Sequence, residues 1–334
     1  MSTISGRAPT LDEVAREAGV SRSTASRAIN GGKRVSPTAQ AAVDDAVQRL
    51  GFTPNPAARA LATQQTGSVA LVIPEPDDRF LNDPFLLGVL RGVSGALAVT
   101  ELQLVLLISN RTPGRLVRYL QAGHVDGAII ASPHRGDHLE EGLRGSRPIV
   151  FIGRPFEMNG LSFVDVDNVT GARLATEVLV RAGRTRIGTV AGPTDMTAGQ
   201  DRFIGWQEAL DAAGLPHDAA EAADFSVPAA EAAAERLLDA HDVDAIFVAS
   251  DTMAVGVRRA LDRRGLRVPD DVALVGFDDL GTAELMHPRL TTMSNPVLDL
   301  SARATSMLLA RLTDPSLPPE HVLLPTRLVS GGSV

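Results

Sequence analysis

The chain has 334 residues, of which 44% are hydrophobic and 22% charged, a composition typical of a globular protein with two or three domains. The absence of cysteine excludes disulfides and thiolate-bound metals, and no run of residues is long and apolar enough for a membrane span. Residues 1–64 carry eight basic and five acidic side chains, a net charge of +3, so the rest carries −11 and the whole −8. A basic module on an acidic body favours nucleic-acid binding, and the lack of a signal peptide predicts a cytoplasmic protein.

The first organised stretch runs from Thr10 to Asn30. Its first half repeats apolar residues at the spacing of one helical face, at Leu11, Val14, Ala15 and Ala18. Gly19 is placed to end this helix, and Ser21 to cap a second helix over residues 22–30. Two short helices joined by a glycine turn predict a helix-turn-helix, whose second helix enters the DNA major groove. The alternative is a generic amphipathic helical hairpin.

A third helix is predicted from Pro37 to Leu50, with Ser36 as its cap and Gly51 as its end. The stretch after it holds two prolines that flank Asn55, which can cap a helix over about 56–62. Because so short a helix is unstable in isolation, a plain linker is the alternative interpretation.

From Ser68 onward, short apolar runs alternate with helical patterns, which predicts an α/β fold with two doubly wound parallel-sheet lobes. Residues 161–168, 291–296 and a segment near Pro325 are interpreted as crossings between the lobes. One helix is expected over 137–144. A helix over 297–312 and one strand over 321–329 are expected to close the structure.

Enzyme signatures are missing from the chain. The sequence contains no G-x-G-x-x-G after a strand, no Walker motif, no G-x-S-x-G and no H-E-x-x-H. We therefore expect no catalytic residue, no metal and no cofactor. The paired carboxylates Asp165/Asp167 and Asp278/Asp279 are interpreted as hydrogen-bonding groups for the backbone or a ligand.

Ligands of open α/β lobes bind at the carboxyl ends of the strands, so two facing lobes predict a ligand cleft lined by the residues that follow each strand. Those residues are charged or hydroxylic and include aromatic faces, a set suited to a sugar. The predicted effector-binding residues are Asp83, Phe85, Ser132, His134, Arg154, Asp195, Arg202, Phe225, Ser250, Asp251 and Asp278.

The pattern T-L-x-x-V-A-x-x-A-G-V-S-x-x-T-x-S-R-x-x-N, at residues 10–30, resembles the N-terminal signature of the LacI/GalR family of bacterial transcription regulators. The resemblance extends over essentially the whole chain, and the two-lobed part resembles the periplasmic sugar-binding-protein fold. It implies a DNA-binding domain over 8–53, a hinge helix or linker over 54–67 and an effector-binding and dimerisation domain over 68–330. Within that last domain, lobe 1 is expected at 68–164 and 296–324, and lobe 2 at 165–292 and 325–330.

Position on the second helix makes Arg22, Ser23 and Arg27 the predicted base contacts. Predicted phosphate contacts, which position the helix without reading sequence, are Thr10, Ser21, Thr24, Ser26, Asn30, Arg34 and Ser36. The resemblance further implies a hinge helix, capped by Asn55, that forms when two copies meet on DNA. On that interpretation Leu61 is a minor-groove wedge and Ala58 packs beside it. One departure is visible: Ala39 and Gln40 stand where the family has a hydroxyl and an arginine.

The resemblance also implies roles in the cleft. Arg202 in R-x-x-G-W and Asp278 in G-F-D-D match family effector contacts, and Phe225 stands where an aromatic residue stacks on the ligand. Ser250-Asp251 replaces a common Asn-Asp pair, and Arg154 is a substitute contact beside Gly153. The alternatives are a structural salt bridge for Arg202 and a simple helix cap for Asp251.

The segments PDDRFLNDPF, GRP and AGPTDM resemble the actinobacterial regulators that respond to cellobiose and related β-glucosides. We therefore expect a repressor of carbohydrate-utilisation genes that binds a palindromic operator as a homodimer and is released by a small sugar. The alternatives are a sugar-binding module without DNA function and an enzyme, such as a sugar kinase or a dehydrogenase, on an α/β scaffold.

Overall fold

A computed structural model of the chain describes residues 9–30, 35–53, 65–109, 113–137, 139, 143, 147–158 and 160–334. The chain forms two compact units, one ending at Gly67 and one beginning at Ser68. None of the helices in these described ranges has the length and apolar character needed to cross a membrane.

The first unit contains the three predicted helices, α1 (Leu11–Glu17), α2 (Arg22–Ile29) and α3 (Pro37–Leu50). Thr10 and Glu13 form a reciprocal capping box at the start of α1. Gly19 has a left-handed φ of 66°, which permits the tight turn into α2. The small core consists of Val14, Ala15, Ala25, Ala28, Val43 and Ala46. Because these side chains are small, the three helices approach one another closely.

The second unit is built on two six-stranded sheets. The order of the first is β11-β5-β4-β3-β1-β2, and that of the second is β12-β10-β9-β8-β6-β7. The first sheet comprises β1 (Ser68–Ile73), β2 (Gln103–Ile108), β3 (Gly127–Ala131), β4 (Ile149–Ile152), β5 (Ser162–Val166) and β11 (His321–Leu324). The second comprises β6 (Ile187–Ala191), β7 (Ala220–Ala222), β8 (Ala245–Val248), β9 (Ala273–Asp278), β10 (Thr291–Ser294) and β12 (Leu328–Val329). All pairs are parallel except β10 with β12, which confirms the predicted fold class.

Helices cover both faces of these sheets. Those of lobe 1, the part built on the first sheet, are α4 (Asp77–Asn82), α5 (Pro84–Leu97), α6 (Pro113–Gln121) and α12 (Val297–Thr313). Those of lobe 2, built on the second sheet, are α7 (Asn168–Arg181), α8 (Thr197–Ala213), α9 (Val227–Ala240), α10 (Asp251–Arg263) and α11 (Thr282–Leu285). Helices α7 and α8 pack closely because Gly205 has no side chain: a Cβ there would lie 2.2 Å from the Val169 carbonyl oxygen.

The structure corrects several details of the sequence prediction. The expected single strand over 321–329 is two strands in different sheets, β11 and β12, because the chain crosses between lobes at Pro325. Both β5 and β10 are full sheet members that precede a crossing, rather than crossings alone. Helix α4 and the short strand β7 were not predicted. Of the helix expected over 137–144, only residues 137, 139 and 143 are described, and Asp137 ends a short 3-10 turn.

Candidate functional site

Helix α2 is held at its start by a cluster of hydroxyl groups. Ser21 Oγ accepts a hydrogen bond from the Thr24 backbone N–H at 3.1 Å and lies 2.8 Å from Thr24 Oγ1 and 2.9 Å from Ser23 Oγ. Ala25 and Ala28 face the core of the unit. The cap and the two alanines fix the helix, and its other face remains available to another molecule.

That other face presents two exposed arginines, Arg22 and Arg27. Arg22 Nε lies 3.4 Å from Asp12 Oδ1, with both side chains more than half exposed. Because surface ion pairs contribute only about 0–1 kcal/mol, Arg22 can exchange this partner for a base or a phosphate. Arg27 Nε donates to the Ser23 carbonyl oxygen at 3.2 Å, which orients its guanidinium along the helix.

The other predicted phosphate contacts lie at helix ends. Thr10 and Ser36 are the N-caps of α1 and α3, and the Asn30 amide donates to the Ser26 carbonyl oxygen at 2.8 Å at the end of α2. Each of these groups makes a hydrogen bond within the unit and is exposed or half-exposed. Four predicted DNA contacts lie outside the described residues: Arg34, Asn55, Ala58 and Leu61.

The departure at Gln40 has a structural use. Its amide nitrogen donates to the Ala28 carbonyl oxygen at 3.3 Å and to Asp44 Oδ1 at 2.9 Å. Gln40 therefore ties α3 to the end of α2, and its amide is committed within the unit.

In the second unit, a cleft is lined by side chains of both lobes. The space between these side chains, including the open mouth of the cleft, is about 690 Å³. Seven of the eleven predicted effector residues line it: Asp83, Phe85, Ser132, Arg202, Phe225, Ser250 and Asp278. These seven residues come from positions 83 to 278, and they were predicted because the carboxyl ends of parallel strands lie at the same edge of a sheet.

Arg202 is the best-anchored group of this cleft. Its side chain is 6% exposed, and Nε donates to Asn168 Oδ1 at 2.8 Å. Nη1 donates to the Ala249 carbonyl oxygen at 2.5 Å and lies 3.3 Å from Asp278 Oδ1. The guanidinium carbon is 3.8 Å from the centre of the Phe277 ring. The salt-bridge and ligand-contact interpretations are therefore compatible, since Arg202 is paired and still lines the cleft.

Three carboxyl groups in the cleft have a pKa above the usual value for aspartate. Burial, followed by the nearby charge of Asp278, raises the pKa of Asp83 to about 6, although its backbone bond from Phe85 opposes the shift. Burial likewise raises the pKa of Asp165 to about 6, against hydrogen bonds from the Arg154 and Val166 backbone. Burial also raises the pKa of Asp278, against the charge of Arg202. Such groups offer hydrogen-bond acceptors to the hydroxyls of a polar ligand.

Left-handed backbone conformations occur along the cleft at residues other than glycine. The φ angles are 55° at Ser132, 66° at Phe225 and 126° at Asp278. Each such conformation costs about 1–3 kcal/mol and persists only where the surrounding structure imposes it. Asp278 ends β9, Ser132 directly follows β3, and Phe225 lies in the turn after β7; all three line the cleft, which supports a binding role for this region.

Sequence reasoning missed several lining residues, above all Arg79. It lies on α4, which was not predicted, and its Nη1 is 3.1 Å from Glu75 Oε2. Its guanidinium carbon is 5.8 Å from the centre of the Phe225 ring in the other lobe. No sequence signal distinguished it within PDDRFLNDPF. Further lining residues outside the prediction include Thr197, Thr252 and Asn295, and Asp165, which was predicted to bond the backbone or a ligand, also lines the cleft.

Four predicted effector residues do not line the cleft: His134, Arg154, Asp195 and Asp251. His134 pairs with Asp195 across the lobes, and Arg154 pairs with Asp201. Asp251 accepts bonds from the Thr292 hydroxyl at 2.6 Å and the Asp279 backbone N–H at 2.7 Å. Their charged atoms are satisfied by protein partners, because those partners come into reach only when the sheets assemble.

Comparison with protein-family models places both units. The model described as "Bacterial regulatory proteins, lacI family" matches residues 10–55, and that of the periplasmic binding protein-like domain matches residues 176–334. The HTH-type transcriptional regulator CelR of Thermobifida fusca is 42% identical over 97% of each chain. The ribose operon repressor of Escherichia coli K12 is 32% identical over 97% of this chain and 99% of its own.

Solved structures agree. A transcriptional regulator CelR–cellobiose complex matches with a TM-score of 0.78 and 40% identity, covering 98% of this chain and 100% of that one. A lac repressor dimer bound to operator and an anti-inducer matches with a TM-score of 0.84 and 26% identity, over 98% and 99%. These relatives are transcriptional regulators, not enzymes, and the predicted resemblance is confirmed. The chain belongs to the LacI family of bacterial regulatory proteins.

Proposed function

We propose that the chain is a repressor of carbohydrate-utilisation genes that binds a palindromic operator as a homodimer and releases it when a small sugar enters the cleft. Cellobiose or a related β-glucoside is the proposed effector. The observation that carries this proposal is the cleft between the lobes, in a chain 40% identical to a regulator solved with cellobiose. The proposed place of action is the cytoplasm, where operator DNA is accessible.

The proposed division of labour follows the chain. Residues 8–53 bind DNA, 54–67 form the hinge, and 68–330 bind the effector and dimerise. On α2, Arg22, Ser23 and Arg27 read bases, while hydroxyls and amides at the helix ends hold phosphates. A sugar-binding module without DNA function is disfavoured, because residues 10–55 match the family's DNA-binding model.

The proposed effector contacts are the seven predicted residues that line the cleft, together with Arg79. Arg202 and the carboxylates Asp83 and Asp278 suit sugar hydroxyls, because charged groups form the stronger hydrogen bonds. Phe225 offers an apolar face for a pyranose ring. A hundredfold loss of operator affinity requires the sugar to prefer the DNA-incompetent state by about 2.7 kcal/mol, and DNA must weaken sugar binding equally.

The test is operator release. Purified full-length protein is bound to its labelled upstream DNA at one fixed salt concentration and titrated with glucose, cellobiose, cellotriose, lactose and ribose, followed by fluorescence anisotropy. We expect release by cellobiose or a longer β-glucoside only. Tightening by a sugar would make it a corepressor, and a response to ribose alone would overturn the β-glucoside assignment.

The matched control uses Phe225→Leu, which removes the aromatic face and keeps an apolar side chain. We expect this variant to bind the operator as tightly as the parent but to need about tenfold more sugar for release. An unchanged sugar response would exclude Phe225 from the effector site.

A further inference from the structure

His134 lies between two carboxylates that belong to different lobes. Its Nε2 is 2.8 Å from Glu75 Oε1, at the end of β1 in lobe 1, and its Nδ1 is 2.9 Å from Asp195 Oδ2, after β6 in lobe 2. The Glu75 side chain is 2% exposed and that of His134 16%. The imidazole is therefore a largely buried link across the cleft.

The geometry demands two protons on this ring. Carboxylates only accept hydrogen bonds, and a neutral imidazole has a single N–H. With one proton lost, a ring nitrogen lone pair would face a carboxylate oxygen at under 3 Å. Burial lowers the pKa of His134, but the hydrogen bond and charge of Glu75, followed by those of Asp195, outweigh it and raise the pKa to about 8.

Other charged groups around the ring are accounted for. Arg79, on α4, binds the second oxygen of Glu75, and Asp137 accepts the His134 backbone N–H at 3.0 Å. The backbone N–H of Arg135 donates to the Asp195 carbonyl oxygen at 2.8 Å. Arg79 also lines the ligand cleft. Glu75 therefore contacts both a residue of the cleft, Arg79, and the residue of the bridge, His134.

A second inter-lobe bridge provides a contrast. Arg154 Nη2 lies 2.6 and 2.8 Å from the two oxygens of Asp201 on α8, and Thr197 Oγ1 donates to the Arg154 carbonyl oxygen at 2.5 Å. A guanidinium stays charged throughout the pH range of a living cell. Of these two bridges, the one through His134 can therefore be opened by losing a proton, and the one through Arg154 cannot.

We propose that His134 is a proton-dependent bridge between the lobes, which favours the closed cleft while its imidazole is doubly protonated and loosens it when a proton is lost. Because the stabilisation exists only in the protonated state, it is present at pH 7 and is lost as the pH rises through 8. Because residues of both lobes line the cleft, effector binding then weakens over the same interval. This consequence rests on the proposed function, whereas the bridge itself does not.

The first measurement follows the lobes without ligand. The chain lacks cysteine, so Val99→Cys and Asp242→Cys place one spin label on each lobe. Both side chains are over nine-tenths exposed and precede β2 and β8, at the sheet edges opposite the cleft. Labelled protein is diluted into unlabelled chain, and the distance distribution is recorded by double electron–electron resonance at pH 7 and 9. We expect a broader distribution at pH 9.

Variants separate the bridge from general loosening. His134→Gln and Asp195→Asn are expected to give a broad distribution at both pH values. Asp201→Asn weakens the other bridge and is expected to keep the response to pH. Asp195 is more than half exposed, so its variant folds even if His134→Gln does not.

The second measurement is the dissociation constant for cellobiose of full-length protein by calorimetry. We expect affinity to fall about fivefold from pH 7 to 9, the upper end for a partly exposed ion pair, and to lose this slope in Asp195→Asn. If the distance between the spin labels changes with pH but cellobiose does not bind, the effector assignment is wrong and the proposal of a proton-dependent bridge is supported. If sugar binds with pH-independent affinity and the distances do not change, the bridge proposal is overturned.

Discussion

The two units solve the problem of presenting functional groups in opposite ways. In the first, the predicted DNA contacts that the structure describes lie between Thr10 and Ser36 and are exposed or half-exposed, and their hydrogen bonds reach no further than four residues along the chain. In the second, Arg202 is buried and joins Asn168, Ala249 and Asp278. Substitution of the exposed arginines Arg22 and Arg27 should therefore change binding alone, whereas substitution of Arg202 in the cleft should change binding and folding together.

The strongest test of this contrast is Arg202→Leu. It leaves the Asn168 oxygen without the Arg202 donor and the buried Asp278 carboxylate with the Asn295 amide but no cation, so we expect a loss of about 3 kcal/mol in the free energy of unfolding and no sugar response. Urea denaturation and operator release measure the two effects. Arg202→Leu combined with Asp278→Leu should recover part of the stability but not the response. A stable single variant would show that the pair is not the anchor inferred here.

A packing test that leaves the cleft residues intact is Gly205→Ala. The added Cβ would meet the Val169 carbonyl oxygen at 2.2 Å, forcing α7 and α8 apart, and we expect a loss of about 1–3 kcal/mol. Gly95→Ala is the matched control, because it is helical and has nothing within 4 Å of the new Cβ. It should gain about 0.5–1 kcal/mol from the reduced freedom of the unfolded chain. Equal effects at both positions would contradict the packing argument.

In the first unit, Arg22→Ala should weaken operator binding by about 1–3 kcal/mol and relax the preference at one base pair. Cellobiose binding and the unfolding midpoint should stay unchanged, as checked by anisotropy, calorimetry and thermal denaturation. The control is Arg49→Ala on α3, whose guanidinium pairs with Glu17 and Asp45. We expect the Arg49→Ala substitution to weaken operator binding by less than about 0.5 kcal/mol, because Arg49 is exposed. Equal losses would mean that Arg22 contributes charge rather than base recognition.

The smallest effect concerns acid. Because the pKa of Asp83 is about 6, this carboxylate loses its charge between pH 7 and 5, and we expect sugar affinity to fall about fivefold. The stability of the ligand-free protein should change in the opposite direction. The pKa of Asp83 in the folded protein lies above its value in the unfolded chain, so ionisation of Asp83 lowers the free energy of unfolding as the pH rises from about 4 to 6.

Asp83→Asn keeps the cap on the Phe85 backbone N–H and removes the charge. Its sugar affinity should be reduced at pH 7 and should vary less with pH, and the remaining slope should come from Asp165 and Asp278. Calorimetric titrations at pH 5, 6 and 7 decide the point. A slope equal to that of the parent would assign the titration to another group.

Short-range pattern accounts for what could be predicted. The helices α1, α2 and α3 follow from apolar spacing, from the caps Ser21 and Ser36 and from Gly19, all of which act within four residues. The alternation of strands and helices predicted the two lobes. The carboxyl-end rule then found cleft residues as far apart as Asp83 and Asp278 without knowledge of their contacts.

Tertiary structure decided which charged residues face the cleft and which pair with each other. Arg154 and His134 follow strands as the cleft residues do, yet their partners Asp201 and Asp195 lie 47 and 61 positions away and belong to the other lobe. For a residue that follows a strand, the sequence predicts only that it lies at the edge of a sheet. Whether it meets ligand or protein depends on how two sheets, joined by three crossings, face one another, because electrostatic pairing depends on distance in space.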